Sequence, residues 1–128
     1  VLEHVYDLEQ TLSFFSERLE EGGVLIIAVP NYRSLDAHLY GENWAAYDVP
    51  RHLYHFDQDS VCRILVKFGF KLAKTLPMKF DSYYVSLLSE KYARGKNGFL
   101  RAFLRGFRSN LKGRVTGDFS SRIYIFRK

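Results

Sequence analysis

The residues able to do more than pack are gathered in one stretch. Positions 32–56 hold His38, His52 and His55, among Tyr32, Tyr40, Trp44, Tyr47, Tyr54 and Phe56. Imidazole exchanges protons near neutral pH and also ligates metals. His52 and His55 stand three residues apart, directly after Pro50-Arg51. Adding Cys62 would make a three-ligand set, but that spacing fits no zinc pattern, and no metal is expected. These histidines either line a substrate pocket or are simply hydrogen-bonded. Trp44 and Tyr47 either stack on a planar substrate or anchor the long loop as a satellite apolar cluster. Arg51 either neutralises an acidic substrate or pairs with Asp48 or Asp57. Cys62 lies beside an apolar helix face and reads as a small packing residue. His4 stands apart, as a proton acceptor or substrate contact on one reading and a packing residue against the following helix on the other.

The elements that must position these groups are legible from spacing. Leu8, Leu12, Phe15 and Leu19 follow helical steps, with Asp7 as a suitable cap and Gly22-Gly23 as the stop. Val24 to Val29 is apolar throughout, as in a strand covered on both faces, and Pro30-Asn31 ends it. Asp57 caps a second helix whose Val61, Ile64, Leu65 and Phe68 share a face. Strands are expected at 70–79 and 121–127. The interval 81–115 is expected to be a helical insertion, its second half striped with Phe99, Leu100, Phe103, Leu104, Phe107 and Leu111 beside Arg101, Arg105, Arg108 and Lys112. Helices alternating with strands indicate an α/β fold. The 128 residues are expected to form one partial domain, because the chain opens on Val1 with its only methionine at Met78.

Charge is distributed unevenly. Residues 1–90 carry 8 Lys/Arg against 13 Asp/Glu, whereas residues 91–128 carry 11 Lys/Arg and a single acid, Asp118. A basic third can attract nucleic acid or anionic lipid, or can be a solvated face balancing an acidic remainder. One cysteine allows no internal disulfide, and a reducing cytoplasm is the expected compartment.

Several of these segments, taken in order, resemble a known family. Leu2-Glu3-His4-Val5, then Leu19-Glu20-Glu21-Gly22-Gly23-Val24-Leu25-Ile26-Ile27, then Val29-Pro30-Asn31 are similar to the second half of class I S-adenosylmethionine-dependent methyltransferases. Pro50-Arg51-His52-Leu53, His55-Phe56 and the helix closing on Gly69-Phe70 continue the resemblance, toward the ubiquinone-biosynthesis-like branch. It covers residues 1 to about 76.

The resemblance implies the C-terminal half of a Rossmann-like fold, with about three mixed strands at 24–29, 70–79 and 121–127. The last would run antiparallel between the other two, with helices flanking the sheet. It implies S-adenosylmethionine as cofactor, Glu3 and His4 near it, and a methyl acceptor that is a small molecule or lipid-linked. His4 and His52 become the candidate catalytic residues. Asn31, Trp44, Tyr47, Arg51, His52 and His55 become candidates for binding the acceptor on the rim beyond the strand ends. The family's Gly-x-Gly cofactor turn occurs nowhere in these 128 residues. This chain alone is therefore expected to be inactive and not to hold the cofactor tightly. Its expected partners are the N-terminal half of its own domain, a second copy through 24–29, and a membrane surface through 99–112, unless that stripe instead covers a sheet edge or a substrate cavity. The competing reading is a non-enzymatic α/β module that binds nucleic acid or anionic lipid through the basic C-terminal third.

Overall fold

Local sequence accounts for most of the element boundaries. The computed structural model describes residues 1–96 and 98–128. A 3-10 turn at Leu2–His4 leads into helix α1, Leu8–Arg18, and strand β1, Val24–Pro30. Asp7 caps α1 by accepting from the Gln10 amide at 2.8 Å. Helix α2, Leu35–Tyr40, opens the long connection, and 3-10 turns at Gly41–Asn43 and Ala45–Tyr47 follow. Helix α3, Gln58–Lys67, leads to strand β2, Lys71–Pro77. Helices α4, Asp81–Arg94, and α5, Phe99–Thr116, fill the interval before strand β3, Ser121–Arg127.

The sheet has the order β1-β3-β2, and β3 is antiparallel to both neighbours. Ile26 faces Ile125 on one side of β3, and Thr75 faces Tyr124 on the other. The carboxyl ends of β1 and β2 therefore meet the start of β3 along one rim. Pro30 pairs with Ser121 there, and Pro77 with Arg122. Residues 31–56 and the α4–α5 hairpin both leave from this rim, so Asn31, Trp44, Tyr47, Arg51, His52 and His55 belong to a connection that starts there.

One face of the sheet carries the main core. Leu8 and Leu12 from α1, and Val61 and Leu65 from α3, close over Ile27, Val29, Tyr124 and Phe126. Leu12, Val61 and Leu65 have no accessible surface, and each stabilises the fold by roughly 2 kcal/mol through burial. The opposite face differs from the expectation of a strand covered on both sides. Val24, Ile26 and Ala28 are exposed, with Ile26 at 64%. Side chains alternate along a strand, and no helix among the described residues packs on that side. The outer edge of β1 is likewise unpaired among the described residues. A groove of about 340 Å³ runs along it, between Leu25–Ala28 and the side chains of Leu2, Val5, Thr11 and Phe15.

Helix α5 packs in the opposite sense to its apolar stripe. It buries Ala102, Gly106, Ser109, Asn110 and Gly113, while Phe99, Leu100, Phe103, Leu104, Phe107 and Leu111 are exposed. Close approach to α4 is the reason. A Cβ on Gly106 would stand 2.9 Å from the Tyr83 ring and 3.0 Å from the Ser82 carbonyl oxygen. The Ser82 hydroxyl also donates to the Gly106 carbonyl at 3.2 Å, and the Asn110 amide donates to the Lys79 carbonyl at 2.8 Å. Large side chains cannot enter such an interface, so they turn outward.

Asp57 joins α3 to the rim. Its carboxylate accepts from the Ser60 amide at 2.8 Å and from the Tyr32 hydroxyl at 3.0 Å. Arg33 lies 3.5 Å away. Burial pushes this carboxyl up, but the bonds from Ser60 and Tyr32 and the Arg33 charge outweigh it and hold it below the usual range. A depressed folded value means that its contribution is present above the unfolded carboxylate range and is lost as pH falls below it. Asp57→Ala is expected to cost about 1 kcal/mol at neutral pH and much less in acid. Urea denaturation of both proteins at the two pH values measures this difference.

Candidate functional site

The rim is assembled by three segments far apart in sequence. The Leu2–His4 turn is fastened to the long connection through backbone bonds. The Leu53 amide donates to the Glu3 carbonyl at 2.7 Å. The His4 Nδ1 donates to the Arg51 carbonyl at 3.0 Å, and the His52 Nδ1 donates to the Ala46 carbonyl at 2.8 Å. A carbonyl can only accept, so each Nδ1 must carry a proton. In the neutral ring each Nε2 is then a bare lone pair. The two rings meet edge to face, with centroids 4.5 Å apart.

Both Nε2 atoms face one carboxylate oxygen. Glu3 Oε1 lies 3.7 Å from His4 Nε2 and 3.9 Å from His52 Nε2. Asp48 Oδ2 lies 3.9 Å from His52 Nε2 on another side. These separations exceed hydrogen-bond length, but they place negative charge beside either ring when it takes up a proton. Burial pushes the Glu3 carboxyl up. Bonds from the chain's amino group and its own backbone, with the His52 charge, outweigh burial and hold it below the usual range.

Glu3, His4 and His52 offer ligand atoms that all lie within 4.8 Å of one another. Two imidazoles and a carboxylate can pass a proton or hold a divalent cation, and pinning each Nδ1 on a carbonyl serves either use. The trio of His52, His55 and Cys62 weighed from sequence is not the group that the fold gathers. His55 turns its Nε2 to the Tyr47 carbonyl at 3.1 Å and meets the Tyr47 ring edge-on at 5.0 Å. Cys62 is half-buried on α3, and burial pushes its thiol up, as suits a packing residue.

The other sequence candidates divide between structure and surface. Asn31 is fully buried, donating to Asp118 and to the Phe119 carbonyl, both at 3.2 Å, and accepting from the Arg33 amide. Trp44 is also buried. Its Nε1 donates to Asp36 at 2.8 Å, and its ring meets Tyr47 edge-on at 5.0 Å. Arg51 is exposed and takes Asp48 as its partner at 2.6 Å, rather than Asp57.

Helix α4 contributes residues that sequence spacing did not single out. A cavity of about 230 Å³ lies between the rim and α4, lined by Asp48, Arg51 and His52 on one side and Tyr84, Leu88 and Tyr92 on the other. No local pattern marks those α4 residues, because they meet the rim only through the fold. Asp36 was missed for the same reason. It is completely buried and accepts from Trp44 Nε1, from the Ser120 hydroxyl at 2.7 Å and from the Ser109 hydroxyl. One carboxylate thus ties α2, α5 and the start of β3 together beneath the site.

This rim, with a strand inserted antiparallel between two others, is the architecture of the C-terminal part of a Rossmann-like methyltransferase. Two solved structures of phosphoethanolamine N-methyltransferase 2 from Haemonchus contortus are similar in fold. One is a complex with phosphomonomethylethanolamine and S-adenosylhomocysteine, at TM-score 0.53 and 16% identity over 99% of this chain. The other contains S-adenosyl-L-methionine, at TM-score 0.53 and 18% identity over 100% of this chain. The chain spans 31% of the length of each. No curated protein matches the sequence. The model of a methyltransferase-domain family matches residues 1–75, and the chain belongs to that family.

The residues present do not fit the cofactor by themselves. The positive-φ glycines, Gly22, Gly41, Gly69, Gly95 and Gly117, close helices or turns. None forms a strand-to-helix turn at the rim, where backbone could approach a ligand.

Replacing Asp36 with Ala would leave a buried indole N–H and two hydroxyls without their acceptor. Thermal unfolding is expected to show a loss of about 3 kcal/mol, with far smaller effects from Arg51→Ala on the surface.

Proposed function

We propose that the intact protein is an S-adenosylmethionine-dependent methyltransferase of the ubiquinone-biosynthesis-like branch. Its acceptor is a small or lipid-linked molecule, bound in the cavity between His52 and α4. The observation that carries this reading is the pair of imidazoles, each held on a backbone carbonyl, with both free nitrogens facing the Glu3 carboxylate and His52 lining that cavity. When bound by the whole domain, the cofactor supplies an electrophilic methyl group. The residues of this chain supply orientation and proton removal. His52, at the cavity wall, accepts the acceptor's proton on Nε2, and His4 stands beside it as the second imidazole. Glu3 and Asp48 compensate the charge so formed. Tyr84 and Tyr92 form the wall across from His52, against which the acceptor aligns.

Glu3 and His4 belong on the cofactor's side of the rim in this proposal, with the glycine-rich turn supplied by residues outside the 128. The open β1 edge and its apolar groove support that division, because they offer a ready seat for another strand. Titration calorimetry of the 128-residue chain is expected to show no saturable binding of S-adenosylmethionine. Micromolar affinity would overturn this division of labour.

In the intact enzyme, His52→Ala and His4→Ala are expected to lower kcat by about a hundredfold or more, with affinity for the methyl donor less affected. Full turnover by both variants would remove them from the chemistry.

A further inference from the structure

The exposed stripe on α5 has a composition and a position that call for a specific surface. Phe99, Leu100, Phe103, Leu104, Phe107, Leu111 and Val115 are all exposed, on a helix that already satisfies its packing through its small residues. Contiguous apolar surface of this kind marks an interaction site. Along one border of the stripe run Arg101, Arg108 and Lys112, and Arg114 falls within it, between Phe103 and Phe107 on the helix surface. None of these four has a carboxylate partner among the described residues. Arg105 is used differently: it turns inward over the Tyr40 ring at 4.4 Å and toward Glu90 at 3.5 Å. No acid occurs from residue 91 to residue 117.

We infer that this face of the α4–α5 hairpin seats the protein on an anionic lipid bilayer. A helix with large apolar side chains on one face, arginine and lysine at its borders and no acid is matched to such an interface, where the rings enter the acyl boundary and the cations meet phosphates. A second copy of the same face would set cation against cation, because no acid occurs from residue 91 to residue 117. Phe80, Tyr84 and Tyr92 on the same hairpin are also exposed and are amphipathic or apolar rings suited to the headgroup layer. Among the described residues no helix is long and apolar enough to cross a membrane, and the inferred contact is the side of α5 lying along the bilayer surface.

The position of the face adds a functional consequence. A small cleft of about 160 Å³ between the two helices is lined by Tyr83, Tyr84, Leu87, Phe99, Ala102 and Phe103. Tyr84 also lines the 230 Å³ cavity that contains His52. Apolar surface therefore continues from the outer face of α5 toward the rim, and an acceptor anchored in lipid would reach the cavity from the bilayer side. That last step rests on the proposed methyl transfer. The docking itself does not, and it is read by binding rather than turnover.

The test is co-sedimentation of the full-length protein with phosphatidylcholine vesicles containing phosphatidylglycerol, against vesicles of phosphatidylcholine alone. Binding to the anionic vesicles is expected, weakening as salt is raised. Phe103→Glu with Phe107→Glu should reduce it about tenfold or more, and Arg101→Glu with Arg108→Glu should abolish the preference for anionic lipid. Circular dichroism checks that the variants fold. Independently of them, hydrogen exchange of the wild-type protein should show protection of residues 99–115 when anionic vesicles are added. Failure of the wild type to bind, equal binding to both vesicles, or an unprotected α5 would overturn the inference. Burial of this face in a dimer, or against the rest of the chain, would do so as well.

Discussion

Strand β3 lies between two strands that precede it in sequence, and its hydrogen-bonding groups are used on both sides. Without it, β1 and β2 would be separate strands with no common ladder. With it, Tyr124 and Phe126 are driven into the core at zero accessibility, and the carboxyl ends of β1 and β2 are brought to one line. The connections that leave those ends are then forced together. Residues 31–56 and the α4–α5 hairpin, otherwise unrelated in sequence, become the two sides of one cavity. The chain end helps to fix β3 in place. Gly22 and Gly23 bond to Lys128 through the backbone, and the Lys128 ammonium reaches the last carbonyls of α1 at Ser16 and Leu19.

The rim illustrates how polar groups can be held without a rigid element beneath each one. Residues 41–56 contain two 3-10 turns, a further turn at 49–51 and irregular backbone, with no α-helix or named strand. Their order comes from Trp44 bonded to Asp36, the Ala45 amide bonded to Ser89 at 2.8 Å, and the Glu3 carbonyl bonded to Leu53. Each of these partners lies on a different element. A connection anchored at several separate points holds His52 without a helix beneath it, while its carbonyls remain available to orient imidazoles. The buried carboxylate of Asp36 is compensated by three donors. Such a group is costly to desolvate alone but specifies one arrangement when every bond is made.

The open side of the molecule carries a different lesson. Ile26 and Val24 on β1, and the phenylalanines and leucines of α5, are apolar residues without cover among the described residues. They are not equivalent surfaces. The β1 edge also offers unpaired backbone groups, which favour another strand as occupant. The α5 face offers none, because helix backbone bonds are internal, and its border is cationic. Apolar area alone would not separate the two; the polar groups around it do.

Spacing and composition by themselves determined the helices at 8–18 and 58–67, the strands around 24–29 and 121–127, and the cap residues Asp7 and Asp57, because these depend on contacts within a few residues. The order of short segments from Leu2 to Phe70 also carried the family, and with it the antiparallel insertion of the last strand. Which histidines meet was decided by tertiary structure alone. His4 and His52 are 48 positions apart, and His52 lies closer in sequence to His55, yet the Leu53 amide bonded to the Glu3 carbonyl and the Arg51 carbonyl accepting from His4 bring the distant pair together, while His55 bonds to the Tyr47 carbonyl instead. The outward stripe of α5 was decided at the same level. Periodicity identifies an apolar face, but only the 2.9 Å approach at Gly106 shows that the small-residue face is the one the fold can bury.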